Sequence, residues 1–181
     1  MEKKNKTKVV TGTVRLSYEH VWEPASINGG EEKYSASLII PKSDKVTVNA
    51  IQKAVDAAIE EGLAKFGGKK PNKAAIKLPL RDGDAEREDE AYQGSFFLNA
   101  NSRTAPQVVD RSVQPILDRN EVYSGCYIRA SITFYAFNSN GNKGVACGLN
   151  NIQKIRDGEP LGGRANAAED FTTVEDEDFL S

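Results

Sequence analysis

The chain is poor in the residues on which several kinds of chemistry depend. Its 181 residues include one histidine, His20, one tryptophan, Trp22, and two cysteines, Cys126 and Cys147. A mechanism that needs two imidazoles is therefore excluded, and we expect the single histidine to be structural. The cysteines are widely separated and form no C-x-x-C motif, so they predict buried, reduced thiols rather than a zinc site or a disulfide framework.

Long apolar runs are also missing. Hydrophobic residues make up 39% of the chain, but the longest apolar runs are only a few residues. A helix that spans a bilayer needs roughly 20 such residues. The basic start of the chain is followed by no apolar segment of the kind that directs secretion. The sequence therefore predicts a cytoplasmic protein with no membrane partner.

Charges are segregated along the chain, although the formal net charge is only −2. Residues 165–181 contain six acids and no Lys or Arg, which leaves residues 1–164 with a net charge of +4. A second acidic cluster, Asp82–Glu90, contains a single base, Arg87. A basic body with an acidic tail favours a polyanionic partner. The alternative is that each charged run is only solvated surface, which is the more frequent case for any single run.

Hydrophobic periodicity predicts a mainly β chain with one helix. The helix is expected to begin at Ser43 or Asp44 and to end at Gly67-Gly68. Lys69–Gly94 is expected to be a long excursion, and Asn140-Gly141 to be the turn of a hairpin. Strands are expected over Val9–Tyr18, Lys33–Ile40, Ser95–Ser102, Gln107–Val109, Tyr123–Asn138 and Val145–Ile155.

This order of elements favours a partly closed antiparallel barrel of the OB-fold type with one inserted α-helix. We expect a basic amino-terminal arm over residues 1–8, the OB-fold-like domain over residues 9–160 and a disordered acidic tail over residues 161–181. In the first strand, Val10, Val14, Leu16 and Tyr18 share one parity and are expected to face inward.

The polar faces of the predicted strands carry aromatic and cationic side chains. Aromatic rings stack on the bases of a single nucleic-acid strand, and cations neutralise its phosphates. The alternative is that Tyr127 and Tyr135 pack across strands or cover a second small core, and that Trp22 lies in the main core. The residues expected to bind nucleic acid are Arg15, Trp22, Lys33, Phe97, Arg103, Tyr127, Arg129 and Tyr135.

Signals for catalysis are weak. Asp82, Asp84 and Glu86 resemble the start of a calcium loop, but Arg87 and Gln93 stand where that loop needs glycine and glutamate. The sequence has no G-x-S-x-G, P-loop or G-x-G-x-x-G motif. We therefore predict a protein without catalytic activity, cofactor or metal. A metal nuclease is kept as an alternative, which a cluster of carboxylates on strands would favour.

Five segments of the chain together resemble a known family. They are Tyr34-Ser35, Ile40-Pro41-Lys42-Ser43-Asp44, Leu80-Arg81-Asp82-Gly83-Asp84, Tyr123-Ser124-Gly125-Cys126-Tyr127 and Phe134-Tyr135-Ala136-Phe137-Asn138. This series is similar to phage OB-fold single-stranded DNA-binding proteins, a family first catalogued as a domain of unknown function. The resemblance extends from about Thr11 to Phe171. It implies sequence-tolerant binding of single-stranded DNA during phage replication, recombination or repair, in the cytoplasm of a bacterial host and without catalysis.

The acidic tail is similar to the partner-recruiting tails of other replication proteins of this kind. The resemblance implies that replication proteins such as a polymerase, helicase or primase bind Glu175, Asp176, Glu177, Asp178 and Phe179. Such tails often end at an aromatic residue, whereas Leu180-Ser181 follow Phe179 here. Duplex binding and a homodimer are left open. A non-enzymatic virion or assembly module is a further alternative, which a large outward apolar patch would favour.

Overall fold

The computed structural model describes residues 5–26, 29–161 and 172–174. Within these residues lie the helices α1 (Lys45–Glu61) and α2 (Gly83–Glu86). Short 3-10 turns lie at Leu63–Phe66, Lys73–Ala75, Glu90–Tyr92 and Arg119–Glu121. The strands are β1 (Lys8–Val10), β2 (Val14–Ser26), β3 (Glu32–Pro41), β4 (Arg81–Asp82), β5 (Ser95–Ser102), β6 (Gln107–Val109), β7 (Tyr127–Ser139) and β8 (Asn142–Arg156).

Five of these strands pair around a ring in the order β2, β3, β5, β8 and β7, and β7 pairs with β2 again. Two of the junctions are short. β5 meets β8 in parallel at one pair, Asn101 and Gly148, and β7 meets β2 at two pairs. The chain is therefore mainly β, with an incompletely closed ring of the OB-fold type, which confirms the predicted fold class.

Three short strands extend the ring at its edges. β1 pairs with β7, β4 with β5, and β6 with β8. Thr7 is buried and its carbonyl oxygen accepts a hydrogen bond from the backbone N–H of Phe134, so the chain joins the sheet already at this residue. None of the helices in the described part of the chain is long and apolar enough to cross a membrane.

The core fills the ring and extends beneath α1. The apolar residues at the even positions of β7 face this core, because Ile128, Ala130, Ile132 and Phe134 are all buried. One stripe of α1 completes this core with Val48, Ile51, Val55 and Ile59. The β7–β8 hairpin turns at Asn140 and Gly141, which have φ angles of 51° and 86°. Positive φ at both central residues is the geometry that an Asn-Gly hairpin favours.

The helix begins where the sequence predicts and ends earlier. Asp44 caps it, since its carboxylate accepts hydrogen bonds from the backbone N–H and the hydroxyl of Thr47 at 3.2 Å and 2.7 Å. We expected the helix to continue to Phe66, but it ends at Glu61. Gly62 passes so close to β7 that a Cβ atom there would overlap the side chain of Ala136, and the chain continues as a 3-10 turn.

The prediction of one strand over Val9–Tyr18 is wrong, because the chain bends between β1 and β2. The hydroxyl of Thr11 accepts a hydrogen bond from the backbone N–H of Ala130 at 3.0 Å, and the N–H of Gly12 donates to the hydroxyl of Thr47 at 3.0 Å. The bend changes the alternation of faces. Val9 is consequently buried and Val10 is 56% exposed, contrary to the inward position expected for Val10.

Candidate nucleic-acid interface

A groove of about 600 Å³ runs over the outer face of β2, β3 and β5. Its floor is polar, because Ser35 and Ser37 of β3 lie directly opposite Asn101 and Asn99 of β5. Residues two apart on a strand share a face, so the antiparallel register places the four side chains side by side. We call this surface the outer groove; its lining residues are Tyr18, His20, Ala25, Gly30, Glu31, Lys33, Ser35, Ala36, Ser37, Arg87, Asn99, Ala100 and Asn101.

Three cations border the outer groove. Lys33 and Arg87 line it, and Arg103 pairs with the groove residue Glu31 at 3.1 Å. Arg87 pairs with Asp89 at 2.9 Å. The three cations thus exceed their two acidic partners by one charge. Lys33 and Arg103 belong to the predicted set, whereas Arg87 does not.

Arg87 connects the outer groove to the side chains beneath it. Its guanidinium lies 4.4 Å from the ring centroid of Tyr92, and its Nη2 donates to the hydroxyl of Tyr18 at 2.6 Å. The hydrogen bond to Asp89 raises the pKa of Arg87 above its usual value, so the group stays cationic. One sequence signal could have identified it, because Arg87 is the only base in the acidic cluster Asp82–Glu90.

Phe97 faces outward as its parity predicts, but the expectation that its ring is exposed is wrong. Phe97 is 4% exposed and forms a small core with Ile39 and Tyr92. The Tyr92 ring meets the Phe97 ring edge-on, with centroids 5.2 Å apart, and its hydroxyl lies 3.2 Å from that of Ser37. Because the segment after β4 folds over this position, Phe97 offers no ring face to a base in this structure.

Trp22 lies against the main core, as the alternative interpretation of this residue has it. The side chain is half-buried and packs on the residues inside the ring. Its indole Nε1 donates to the carbonyl oxygen of Val122 at 3.1 Å, so the polar end of the ring is already satisfied. Trp22 does not line the outer groove.

Arg15, Tyr127 and Arg129 lie elsewhere on the ring and do not line the outer groove. Arg15 donates to the carbonyl oxygens of Gly125 and Glu159 at 3.1 Å and 2.6 Å, and so holds the chain after β8. The guanidiniums of Arg15 and Arg156 lie 5.6 Å and 4.3 Å from the Tyr127 ring centroid.

Arg129 is exposed, and its Nε donates to the carbonyl oxygen of Thr11 at 3.0 Å. Each of the three side chains thus already contacts another part of the protein. Their role in DNA binding stays a prediction.

Tyr135 lies next to the floor of the outer groove. The residue is 46% exposed and lies on β7, which is separated from β5 by β8. A Cβ atom at Gly148 of β8 would lie 3.8 Å from Cε1 of Tyr135 and 3.9 Å from the carbonyl oxygen of Asn101. The structure therefore brings Tyr135 to the same outer surface as Lys33 and Arg103.

Tyr18 occupies a bulge at the opposite side of the outer groove. Ser17 pairs with Ser37 and His20 with Ser35, so Tyr18 and Glu19 together oppose the single residue Ala36. Tyr18 has a φ angle of 46° and is 57% exposed, so the inward position that the sequence predicts for it is wrong. The bulge is held by the N–H of Glu19, which donates to the hydroxyl of Ser124 at 2.9 Å.

The acidic residues of the failed calcium-loop motif are engaged in ion pairs. Lys42 contacts Asp82 at 2.7 Å and Asp84 at 2.8 Å, and Arg81 pairs with Glu86. Hydrogen bonds from Lys42 hold the pKa values of Asp82 and Asp84 below their usual range, and both bonds raise the pKa of Lys42. These contacts anchor the segment that carries Arg87.

Two further groups of predicted residues can be placed. Cys126 and Cys147 are buried as expected, and burial raises the pKa of each thiol, which disfavours the reactive thiolate. The predicted tail residues Glu175, Asp176, Glu177, Asp178 and Phe179 lie outside the described residues.

A partly closed five-stranded ring with an open polar face on β3 and β5 is the architecture of the OB-fold, a class whose members include binders of oligonucleotides and oligosaccharides. The family described as "Enterobacter phage Enc34, ssDNA-binding protein" matches residues 7–180, and the chain belongs to this family. The resemblance stated from the sequence is thereby confirmed.

Individual relatives agree with this assignment. "Putative protein p50" of Acyrthosiphon pisum secondary endosymbiont phage 1 is 34% identical over an alignment 187 positions long, gaps included, which covers 96% of this chain and 99% of that protein. The single-stranded DNA-binding protein from bacteriophage Enc34, solved in complex with ssDNA, superimposes with a TM-score of 0.75 at 24% identity, over 90% of this chain and 97% of that one.

A second solved structure is more distant. The single-stranded DNA-binding protein gp2.5 of bacteriophage T7 has a TM-score of 0.61 at 15% identity, over 93% of this chain and 95% of that one. At such identities, this likeness and that to the Enc34 protein show that the fold is shared.

Proposed function

We propose that this protein binds single-stranded DNA along the outer groove with little sequence preference. The observation that carries the proposal is the floor of paired Ser and Asn side chains bordered by Lys33, Arg87 and Arg103. A single strand offers bases to such a floor and phosphates to such a border. Membership of a phage ssDNA-binding family supports the same ligand.

The chemistry of the floor accounts for sequence tolerance. A serine hydroxyl both donates and accepts hydrogen bonds, and an asparagine amide presents a donor and an acceptor at one end. Ser35, Asn99 and Asn101 can therefore satisfy the edges of different bases without a fixed pattern, whereas Ser37 is buried and lies against the Tyr92 hydroxyl. The cations neutralise phosphates whatever the sequence, and release of counterions from the DNA makes this part of binding sensitive to salt.

The role that fits these properties is the protection and presentation of single-stranded DNA in phage replication, recombination or repair. No chemical step on the DNA is assigned to the protein. The acids of the tail, with Phe179, are proposed to recruit replication proteins, because an acidic segment with an aromatic residue offers both charge and an apolar anchor.

Titration of fluorescent oligo-dT with the full-length protein over a series of salt concentrations tests the proposal. We expect binding at low salt that weakens as salt rises, and much weaker binding to a duplex of equal length. Oligo-dA and oligo-dC, titrated in parallel, are expected to bind with affinities similar to that of oligo-dT. Failure to bind any single strand at the lowest salt would refute the proposal.

A further inference from the structure

We infer that Tyr18 stacks on a base of the bound strand and marks one end of its path along the outer groove. The inference rests on the proposed function and deepens it, because it identifies a contact residue and a boundary of the site. Tyr18 was not among the residues expected to bind nucleic acid from the sequence.

The first support is that the backbone at Tyr18 is strained and that burial of its ring regains little of this cost. Its φ angle of 46° is unfavourable for a residue with a Cβ atom, and its ring buries little surface, since the residue is 57% exposed. Backbone strain of this kind persists where surrounding contacts impose it, and it is concentrated at functional sites. Here the contact between Glu19 and Ser124 imposes it.

The second support is the orientation of the ring. Arg87 holds the hydroxyl end of Tyr18 through its 2.6 Å hydrogen bond, and Arg87 is itself fixed by Asp89 and by the Tyr92 ring. A side chain held at its tip loses less conformational entropy when a base stacks on it. The same guanidinium lies beside the outer groove, where it can meet the phosphate of the stacked nucleotide.

The third support is the position of Tyr18 on the border between two pockets of opposite character. On one side lies the outer groove, whose charged lining residues Lys33, Arg87 and Glu31 sum to +1. On the other side is a pocket of about 590 Å³ that Asp89 and Glu90 line. Carboxylates repel phosphates, so the DNA backbone is expected to end its contact at Tyr18 rather than continue into the second pocket.

Three substitutions separate a stacking role from a structural one. Tyr18→Phe keeps the ring, Tyr18→Ala removes it and keeps the backbone strain, and Tyr18→Gly removes both. Because glycine adopts positive φ without strain, Tyr18→Gly should melt at a higher temperature than Tyr18→Ala. If the ring stacks on DNA, both variants should nevertheless lose about 10-fold in affinity for oligo-dT. Tyr18→Phe should lose less than either, because it keeps the ring and gives up only the hydrogen bond from Arg87.

A structural role gives a different result, because affinity would then follow stability and Tyr18→Gly would bind better than Tyr18→Ala. That result would overturn the inference, as would affinities within twofold of wild type for both variants. If wild-type protein does not bind oligo-dT at all, the proposed function fails, which is a distinct outcome that removes the basis of the inference too.

Photo-crosslinking locates the contact directly. Oligo-dT that contains 5-iododeoxyuridine is irradiated in complex with the wild-type protein, and the crosslinked peptide is identified by mass spectrometry. We expect a crosslink at Tyr18 from an iodinated base near one end of the bound segment. Crosslinks to other residues of the outer groove without one at Tyr18 would overturn the inference.

Discussion

The backbone of Tyr92 lies so close to Gly83 that a Cβ atom at position 83 would overlap the carbonyl oxygen of Tyr92 and lie 2.7 Å from that of Ser95. This contact lets the segment between β4 and β5 fold back on itself. Tyr92 is thereby pressed onto Phe97, and Arg87 is brought to the outer groove. A glycine that does not line the outer groove thus helps to position one of its cations.

Gly83→Ala is expected to destabilise the protein and weaken DNA binding together. The added methyl group meets backbone atoms, which cannot rotate away, and overpacking of this kind costs about 1–3 kcal/mol. Displacement of Arg87 should also reduce the affinity for oligo-dT. Urea unfolding and oligo-dT titration measure the two effects.

Gly148→Ala is the matched control for stability, because a Cβ atom there meets its nearest neighbour at 3.5 Å, an ordinary contact. If Gly83→Ala unfolds at the same urea concentration as wild type, the segment between β4 and β5 is not held as the structure indicates.

Removal of a border cation is expected to change the salt dependence of binding. With phosphate contacts at Lys33, Arg87 and Arg103, log K should fall with log salt at a slope of about −2, since each contact to a single strand contributes about −0.7. Lys33→Gln or Arg103→Gln should each reduce this slope by about 0.7. The slopes are obtained from oligo-dT titrations over a salt series.

Lys53→Gln provides the charge-matched control, because Lys53 is exposed on α1 and does not line the outer groove. Arg103→Gln should lose more affinity than Lys33→Gln, since it leaves Glu31 without its ionic partner beside the DNA. Equal slopes for wild type and all three variants would place the phosphate path elsewhere.

Tyr135→Ala is expected to weaken ssDNA binding by about 1–3 kcal/mol, the usual contribution of one base–aromatic stack. The salt slope should not change, because no phosphate contact is removed, and Tyr135→Phe should retain the affinity. Oligo-dT titration over a salt series measures both quantities. An unchanged affinity for Tyr135→Ala would restrict the interface to the outer groove itself.

The regular parts of the fold could be predicted because their signals are local. The alternation along β5 and β7 needs only neighbouring residues, and Asn140-Gly141 sets its own turn geometry. The polar floor of the outer groove follows from the same alternation. The outward positions of Lys33, Arg103 and Tyr135 were predicted in this way, since parity depends on no distant contact.

The errors occur where distant contacts override local alternation. The bulge at Tyr18 depends on a hydrogen bond between Glu19 and Ser124, which are remote in sequence, so its exposure has no local signal. Phe97 has outward parity but is covered by Tyr92 from the irregular segment between β4 and β5. Arg87 lies on the same segment, where no strand periodicity indicates a direction.

The ion pairs of Lys42 are expected to make stability depend on pH at both extremes. Asp82 and Asp84 have pKa values below their ordinary value of 3.8 in the folded protein. Their stabilising effect is therefore complete above pH 3.8 and is lost as the pH falls through the lowered folded values. The pKa of Lys42 is raised above 10.5, so its contribution is lost as the pH rises through that raised value.

Lys42→Met should remove the alkaline dependence and weaken the acid one, since the backbone N–H groups of Asp84 and Gly94 still donate to Asp82 and Asp84. Urea unfolding of wild type and variant between acid and alkaline pH measures both. Lys53→Met is a suitable control, since it also replaces an exposed lysine. If the stability of wild type and Lys42→Met changes in parallel with pH, the ion pairs contribute nothing measurable in solution.

The acidic tail is expected to compete with DNA for the basic body of the protein. Residues 165–181 carry six negative charges, and covalent attachment keeps them at an effective concentration on the order of millimolar near the remaining chain of net charge +4. Truncation after Arg164 should therefore raise the affinity for oligo-dT at low salt. The gain should shrink as salt rises, because the Debye length falls to about 8 Å at physiological ionic strength.

Neutralisation of the tail in the full-length chain separates charge from length. The variant replaces Glu175, Asp176, Glu177 and Asp178 by the corresponding amides. It keeps the full length of the tail and removes four of its six charges. If competition is electrostatic, this variant should reproduce most of the gain in affinity seen on truncation, and that gain should also shrink as the salt concentration rises. A gain on truncation alone would mean that the tail obstructs DNA by its bulk. No gain in either variant at the lowest salt would show that the tail does not compete with DNA.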